Sequence, residues 1–191
     1  MTDRFTRDDA WTLLNEFTTN PSLIKHALAV EAAMRAYAAK LGGDPEEWGI
    51  VGLIHDFDYQ QNPTEETHLH AAKRILTERG WPEEWVQAVC SHADYMGIPR
   101  DTDMAKALFG VDELTGFLTA CALVRPDKAV ANVKVKSVKK KLKDKAFARG
   151  VNREDVRRGA EELGVELDDH IAAVRDAMAG IAGELELPPS E

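Results

Sequence analysis

The sequence has little from which to build disulfides, sheets or a membrane span. It holds only two cysteines, Cys90 and Cys121, each inside an apolar run. They read as buried, reduced thiols rather than a pair, which excludes a disulfide-built secreted scaffold and fits a cytoplasmic location. Strict alternation of apolar and polar residues is missing, so no strand pattern emerges. The longest greasy run, 107–124, carries Asp112 and Glu113, and acidic groups at mid-span are costly in lipid. It reads as a buried helix, and no membrane partner is expected. The first nine residues lack the apolar core of a signal peptide. Positive charge is in deficit, with a formal net charge of -9, which argues against a general or specific nucleic-acid partner. Internal repeats and low-complexity segments are absent.

What remains is helical. Hydrophobic residues make up 44% of the chain, enough for one real core in a chain of this length. Apolar positions recur every three to four residues nearly throughout, and Pro, Gly and cap residues punctuate them. The pattern predicts helices over about 8–17, 21–41, 45–57, 66–79, 82–93, 103–124, 132–148, 152–163 and 167–182. The expected fold is therefore all-α, a single-domain bundle of about eight to nine helices with no sheet. Its parts are an N-terminal helix within 1–20, a core over 21–125, a helical extension over 126–185 packed on that core, and a disordered tail from 186 to 191.

Helical spacing also sorts the chemistry-bearing residues by face. His26 lines up with Val30, Ala33 and Tyr37, the apolar stripe of its helix. His55 follows Trp48 and Val51, and His92 follows Trp85 and Val89, at inward positions. Asp56 lies over Gly49 and Gly52, small residues that leave room for an ion or for close helix packing. Asp112 shares a face with Leu108, Thr115 and Thr119. In the segment 66–79, His68 lines up with Ala72 and Ile75 and is chosen as inward. His70 lines up with Lys73, Arg74 and Thr77 and falls at the rim. A single histidine on an apolar face is more often a hydrogen-bonded core residue than a ligand. A buried ionised carboxylate, however, needs a cation or an arginine beside it. Two inward carboxylates with four inward histidines are hard to explain as packing. Together they indicate a divalent metal site, one or two ions, of Mn, Fe, Ni, Co or Zn, with Mg also compatible. One ion would sit on His26, His55, Asp56 and Asp112, with His68 and His92 serving a second ion or a substrate phosphate.

The order His26, His55-Asp56, Asp112 resembles the HD-domain superfamily of metal-dependent phosphohydrolases. The run Gly52-Leu-Ile-His-Asp-Phe57 is similar to the family's LLHD signature. His68-Leu-His-Ala-Ala-Lys-Arg-Ile-Leu76 resembles the HPxxGAxIL element of a branch with an extra pair of histidines, and Val89-Cys-Ser-His92 the start of its IxxHH element. Tyr59 stands where the HDIGK branch has lysine, Ala93 stands at the second histidine, and no Gly-Tyr-Pro follows. Cleavage of cyclic dinucleotides is therefore not implied. The segment after Val124 resembles the tail of a small bacterial subgroup.

The resemblance implies hydrolysis of a phosphate ester of a nucleotide or small phosphorylated metabolite by a metal-activated water, in a monomer or homodimer. Asp56 would be both ligand and catalytic residue, and Asp58 would act as general base or orient the water. The simpler reading of Asp58 is a surface carboxylate at a helix end. A basic stretch carries Lys134, Lys136, Lys139, Lys140, Lys141, Lys143 and Lys145 around Val135, Val138 and Leu142. It reads first as the solvated face of an amphipathic helix. The sharper expectation is that Lys136 and Lys140, with His70 at the rim, hold substrate phosphate. Two alternatives use the same residues: a di-iron oxygenase of HD type, and a non-catalytic nucleotide-binding module.

Overall fold

The computed structural model describes residues 5–188. Among them are nine α-helices and no strand: α1 Arg7–Phe17, α2 Pro21–Leu41, α3 Pro45–Ile54, α4 His70–Glu78, α5 Glu83–Ser91, α6 Asp103–Leu123, α7 Val135–Leu142, α8 Arg153–Leu163 and α9 Leu167–Ala179. No helix of the described residues is long and apolar enough to cross a membrane. The helix starts are encoded locally. Thr6 and Asp9 form a reciprocal capping box on α1. Asn20 and Asp44 cap α2 and α3, each followed by a proline in the first turn. Gly42 and Gly164 close α2 and α8 in the left-handed region, at φ 77° and 67°.

α6 is the hub, with α2, α5, α8 and α9 packed around it. Two close crossings set the geometry. A Cβ added to Gly52 of α3 would stand 3.1 Å from the Glu31 backbone of α2, so this glycine serves close helix packing rather than room for an ion. On the other side, a Cβ on Gly159 of α8 would stand 2.5 Å from Gly110 Cα of α6. Cys90 and Cys121 are free and buried, and burial pushes both thiols up to about 11.

Four expected segments differ in instructive ways. The helix expected over 45–57 stops at Ile54, and the one expected from 66 starts only at His70. Between them the chain turns, held by Asp58, whose carboxylate accepts from the Leu69 amide at 3.1 Å. That bond holds Leu69 at φ 61°, a conformation that a non-glycine residue adopts only under outside constraint. The basic helix expected over 132–148 is regular only from Val135 to Leu142. Asp144 turns the chain by accepting from the Ala146 amide at 2.9 Å. The Arg153 guanidinium then donates to the carbonyls of Asp144, Phe147 and Val151, supplying the partners a helix would have given. The tail expected from 186 is held at its start: Leu187 is 2% exposed in the core, and Glu186 pairs with Lys25. Residues 189–191 lie outside the described residues.

Candidate metal centre

The six expected ligands come together in two groups that share one carboxylate: His26, His55, Asp56 and Asp112, then Asp56, His68 and His92. Their placement differs from the expectation that each histidine sits within its own helix. Only His26 and Asp112 do, in α2 and α6. His55 and His92 are the C-caps of α3 and α5, and His68 lies in the turn before α4. The two C-cap histidines use the same device. Each donates Nδ1–H to the carbonyl three residues back, His55 to Gly52 at 2.8 Å and His92 to Val89 at 2.6 Å. Carbonyls near a helix end lack helical partners, so they are free to accept.

The other two histidines are fixed from outside their own segment. Asp58 Oδ1 accepts from His68 Nδ1 at 2.9 Å. Thr115 Oγ1 stands 3.4 Å from His26 Nδ1, and because its own hydrogen goes to the Asp112 carbonyl at 2.8 Å, it accepts there. Every imidazole thus presents an Nε2 lone pair inward, as outer partners do for metal-binding histidines. Nε2 of His26 and His55 face each other at 3.2 Å, with Asp112 Oδ1 at 3.0 Å and 3.4 Å from them. Asp56 Oδ2 is 3.5 Å from His55 Nε2, while Asp56 Oδ1 is 3.2 Å from Nε2 of both His68 and His92. Asp56 Oδ1 is buried and, among the described residues, has no hydrogen-bond partner. Acceptors converging on acceptors require cations between them, so the donor set fits divalent metal.

Without a metal cation the same cluster takes up protons. Burial works against charge at His55 and His92, but the adjoining Asp56 and Asp112 outweigh it and raise both. At His68 burial is outweighed by Asp56 and Asp58, and the imidazole is pushed up to about 9. Burial alone would raise Asp56 and Asp112, yet the surrounding histidines hold both well below the usual carboxylate range.

The cluster opens into a cavity of about 420 Å³ whose walls include Tyr59, Glu65, Asp94, Tyr95, Phe109, Glu113, Asn152 and Asp155. Burial, with Asp112 beside it, pushes Glu113 up to about 7. Three residues expected at the substrate phosphate do not line this cavity. Lys136 and Lys140 line a separate groove with Asp168, because α7 turns its apolar side, Val138 and Leu142, into the core. His70 is exposed and does not line the cavity. Asp58 is neither a surface carboxylate nor a wall of the cavity. It is fully buried and touches the site only through His68, which places it one layer behind the reacting groups. Thr115 was visible in sequence as a face-mate of Asp112. The walls supplied by Tyr95, Asn152 and Asp155 carried no local signal.

A family model described as the HD domain matches residues 23–179. The chain belongs to the HD-domain family. This HD protein thereby joins a family composed mostly of metal-dependent hydrolases. The match runs on through the segment read from sequence as a C-terminal extension. Comparison with curated proteins and with solved structures returned no match.

Proposed function

We propose that this HD protein is a metal-dependent phosphohydrolase that cleaves a phosphate ester through a metal-activated water, in which His26, His55, Asp56 and Asp112 would hold one divalent ion and Asp56, His68 and His92 a second. The observation that carries the reading is the shared carboxylate. Asp56 directs Oδ2 toward the His26, His55 and Asp112 group and leaves Oδ1, buried and unpartnered, for His68 and His92. When bound, the ions supply a water of lowered pKa and polarise a phosphoryl oxygen. The chain's own residues do the rest. Gly52, Val89, Asp58 and Thr115 hold the imidazole Nε2 atoms in place, and Asp56 and Asp112 stay ionised to neutralise the cations.

The test is metal analysis of protein purified without added metal, followed by phosphate release from a panel of phosphomonoesters and nucleotides with Mn, Ni, Co, Zn and Mg. Bound transition metal and metal-dependent release are expected. No bound metal and no release with any of these ions would overturn the proposal. The second reading is a di-iron oxygenase, which the six-residue set with one bridging carboxylate also favours. Two iron atoms per chain, an oxygen-sensitive spectrum and no phosphate release would select it.

A further inference from the structure

The cavity over the ligand cluster is unusual for a phosphate pocket. Its walls hold Glu65, Asp94, Glu113 and Asp155 besides the ligands Asp56 and Asp112, and among the described residues not one lysine or arginine. Arg100 and Arg158 stack on Phe109, 3.8 Å and 5.1 Å from the ring centroid. Both are tied to carboxylates, Arg100 to Glu162 and Asp94 and Arg158 to Asp94 and Asp155. Among the described residues, Glu65 and Glu113 have no arginine partner of that kind. Tyr59 and Tyr95, each 39% exposed, stand in the same cavity and offer ring faces. At its floor lies the buried, unpartnered Asp56 Oδ1, which marks the metal-binding end.

No lysine or arginine among the described lining residues meets an anionic group here, so bound metal would be its main counter-charge, and whatever extends from it meets carboxylates and aromatic rings. That combination attracts an organic cation and repels further phosphates. We propose that the substrate is a small phosphomonoester whose alcohol carries an ammonium group, rather than a nucleoside di- or triphosphate. This rests on the phosphohydrolase reading. In the reaction the water oxygen bonds to phosphorus, the bond from phosphorus to the alkoxide oxygen breaks, and the proton given up by the water goes to the alkoxide. The products are inorganic phosphate and an amino alcohol.

The experiment compares two isosteric esters on the metal-loaded full chain: 2-(trimethylammonio)ethyl phosphate and 3,3-dimethylbutyl phosphate, with ATP as the polyanionic probe. The cationic ester is expected to show a kcat/KM higher by about tenfold than its neutral isostere, as one exposed cation–π contact and one surface ion pair allow. ATP is expected to be the poorest of the three. The ratio between the isosteres should shrink in Glu65→Gln and in Glu113→Gln. A second readout is independent of turnover: calorimetry on metal-free protein should find the trimethylammonium alcohol binding more tightly than 3,3-dimethylbutan-1-ol. Hydrolysis of both esters at equal rates, or preference for ATP, overturns the inference and leaves the hydrolase standing. No release from any ester with any metal overturns both.

Discussion

Asp58→Asn is the most discriminating single change, because it keeps shape and burial while removing one acceptor. Asp58 is 0% exposed and accepts from two donors, His68 Nδ1 at 2.9 Å and the Leu69 amide at 3.1 Å. An asparagine offers one oxygen and one NH2 group. If its oxygen meets Leu69, the NH2 group faces His68 Nδ1. The imidazole must then move its proton to Nε2, the atom 3.2 Å from Asp56 Oδ1, which blocks a ligand lone pair. If its oxygen meets His68 instead, the buried Leu69 amide is left opposite a donor, at a cost of about 1–3 kcal/mol. That residue is already in the left-handed region, φ 61°. The expected outcome is a loss of about 10–100-fold in affinity for the ion held by His68 and His92. Titration of metal-free protein with Zn or Mn, metal analysis after desalting, and thermal melts follow the two effects. Two ions held at the affinity of the unmodified chain, with an unchanged melting temperature, would refute the positioning role. Two tightly held ions with hydrolysis abolished would show that Asp58 acts on the water itself.

Other expectations follow from the same geometry. The His68 pKa is about 9 against an ordinary 6.5, so the metal-free protein gains stability from protonation that is complete below pH 6.5 and is lost as pH rises through 9. Integration gives at most about 3–4 kcal/mol, and melts in chelator at pH 6 and pH 9.5 should show the alkaline sample less stable. Metal affinity runs the opposite way, rising with pH up to about 9, because the ion must displace that proton; calorimetric titrations across that range would expose a flat profile. Asp56→Ala should remove metal from both groups at once, read as loss of all bound metal after desalting, and retention of one full equivalent would contradict the bridging role. Gly159→Ala forces a Cβ to within 2.5 Å of Gly110 Cα and should cost about 3 kcal/mol in denaturant unfolding, whereas a change within about 0.5 kcal/mol would mean that α6 and α8 separate easily. Lys136→Ala and Lys140→Ala should leave the hydrolysis rate unchanged, because both side chains line a different groove.

Much of the centre was legible because helices report their faces. His26 and Asp112 sit on apolar stripes of long, well-capped helices, where spacing converts directly into direction. His55 and His92 were legible by the same count only because each lies one residue past its helix and continues the spiral. His68 could be preferred over His70 from its apolar face-mates, although no helix begins until His70. That the chain leaves the helix between 57 and 66 was legible, but the spread of that turn over 55–69 was not. Its cause is a hydrogen bond from Leu69 to a carboxylate 11 residues earlier, and local periodicity carries no record of such a bond. The same holds for the end of α7, which Arg153 closes from the next helix. The lysine run was plain in sequence, but which groove it borders depends on how α7 and α9 pack.

The Asp58 clamp also divides its segment into a fixed part and a free one. Asp58 and His68 are locked together, and Gln60 is tied to the Thr19 and Asn20 amides, so both ends of the excursion are pinned to the core. Between them, nearly all of 62–67 is exposed, yet Glu65 reaches the wall of the cavity. Length and composition can therefore vary in that stretch without moving a ligand, as surface loops with anchored ends allow. Within 62–67, Glu65 is the residue through which such variation would reach the cavity.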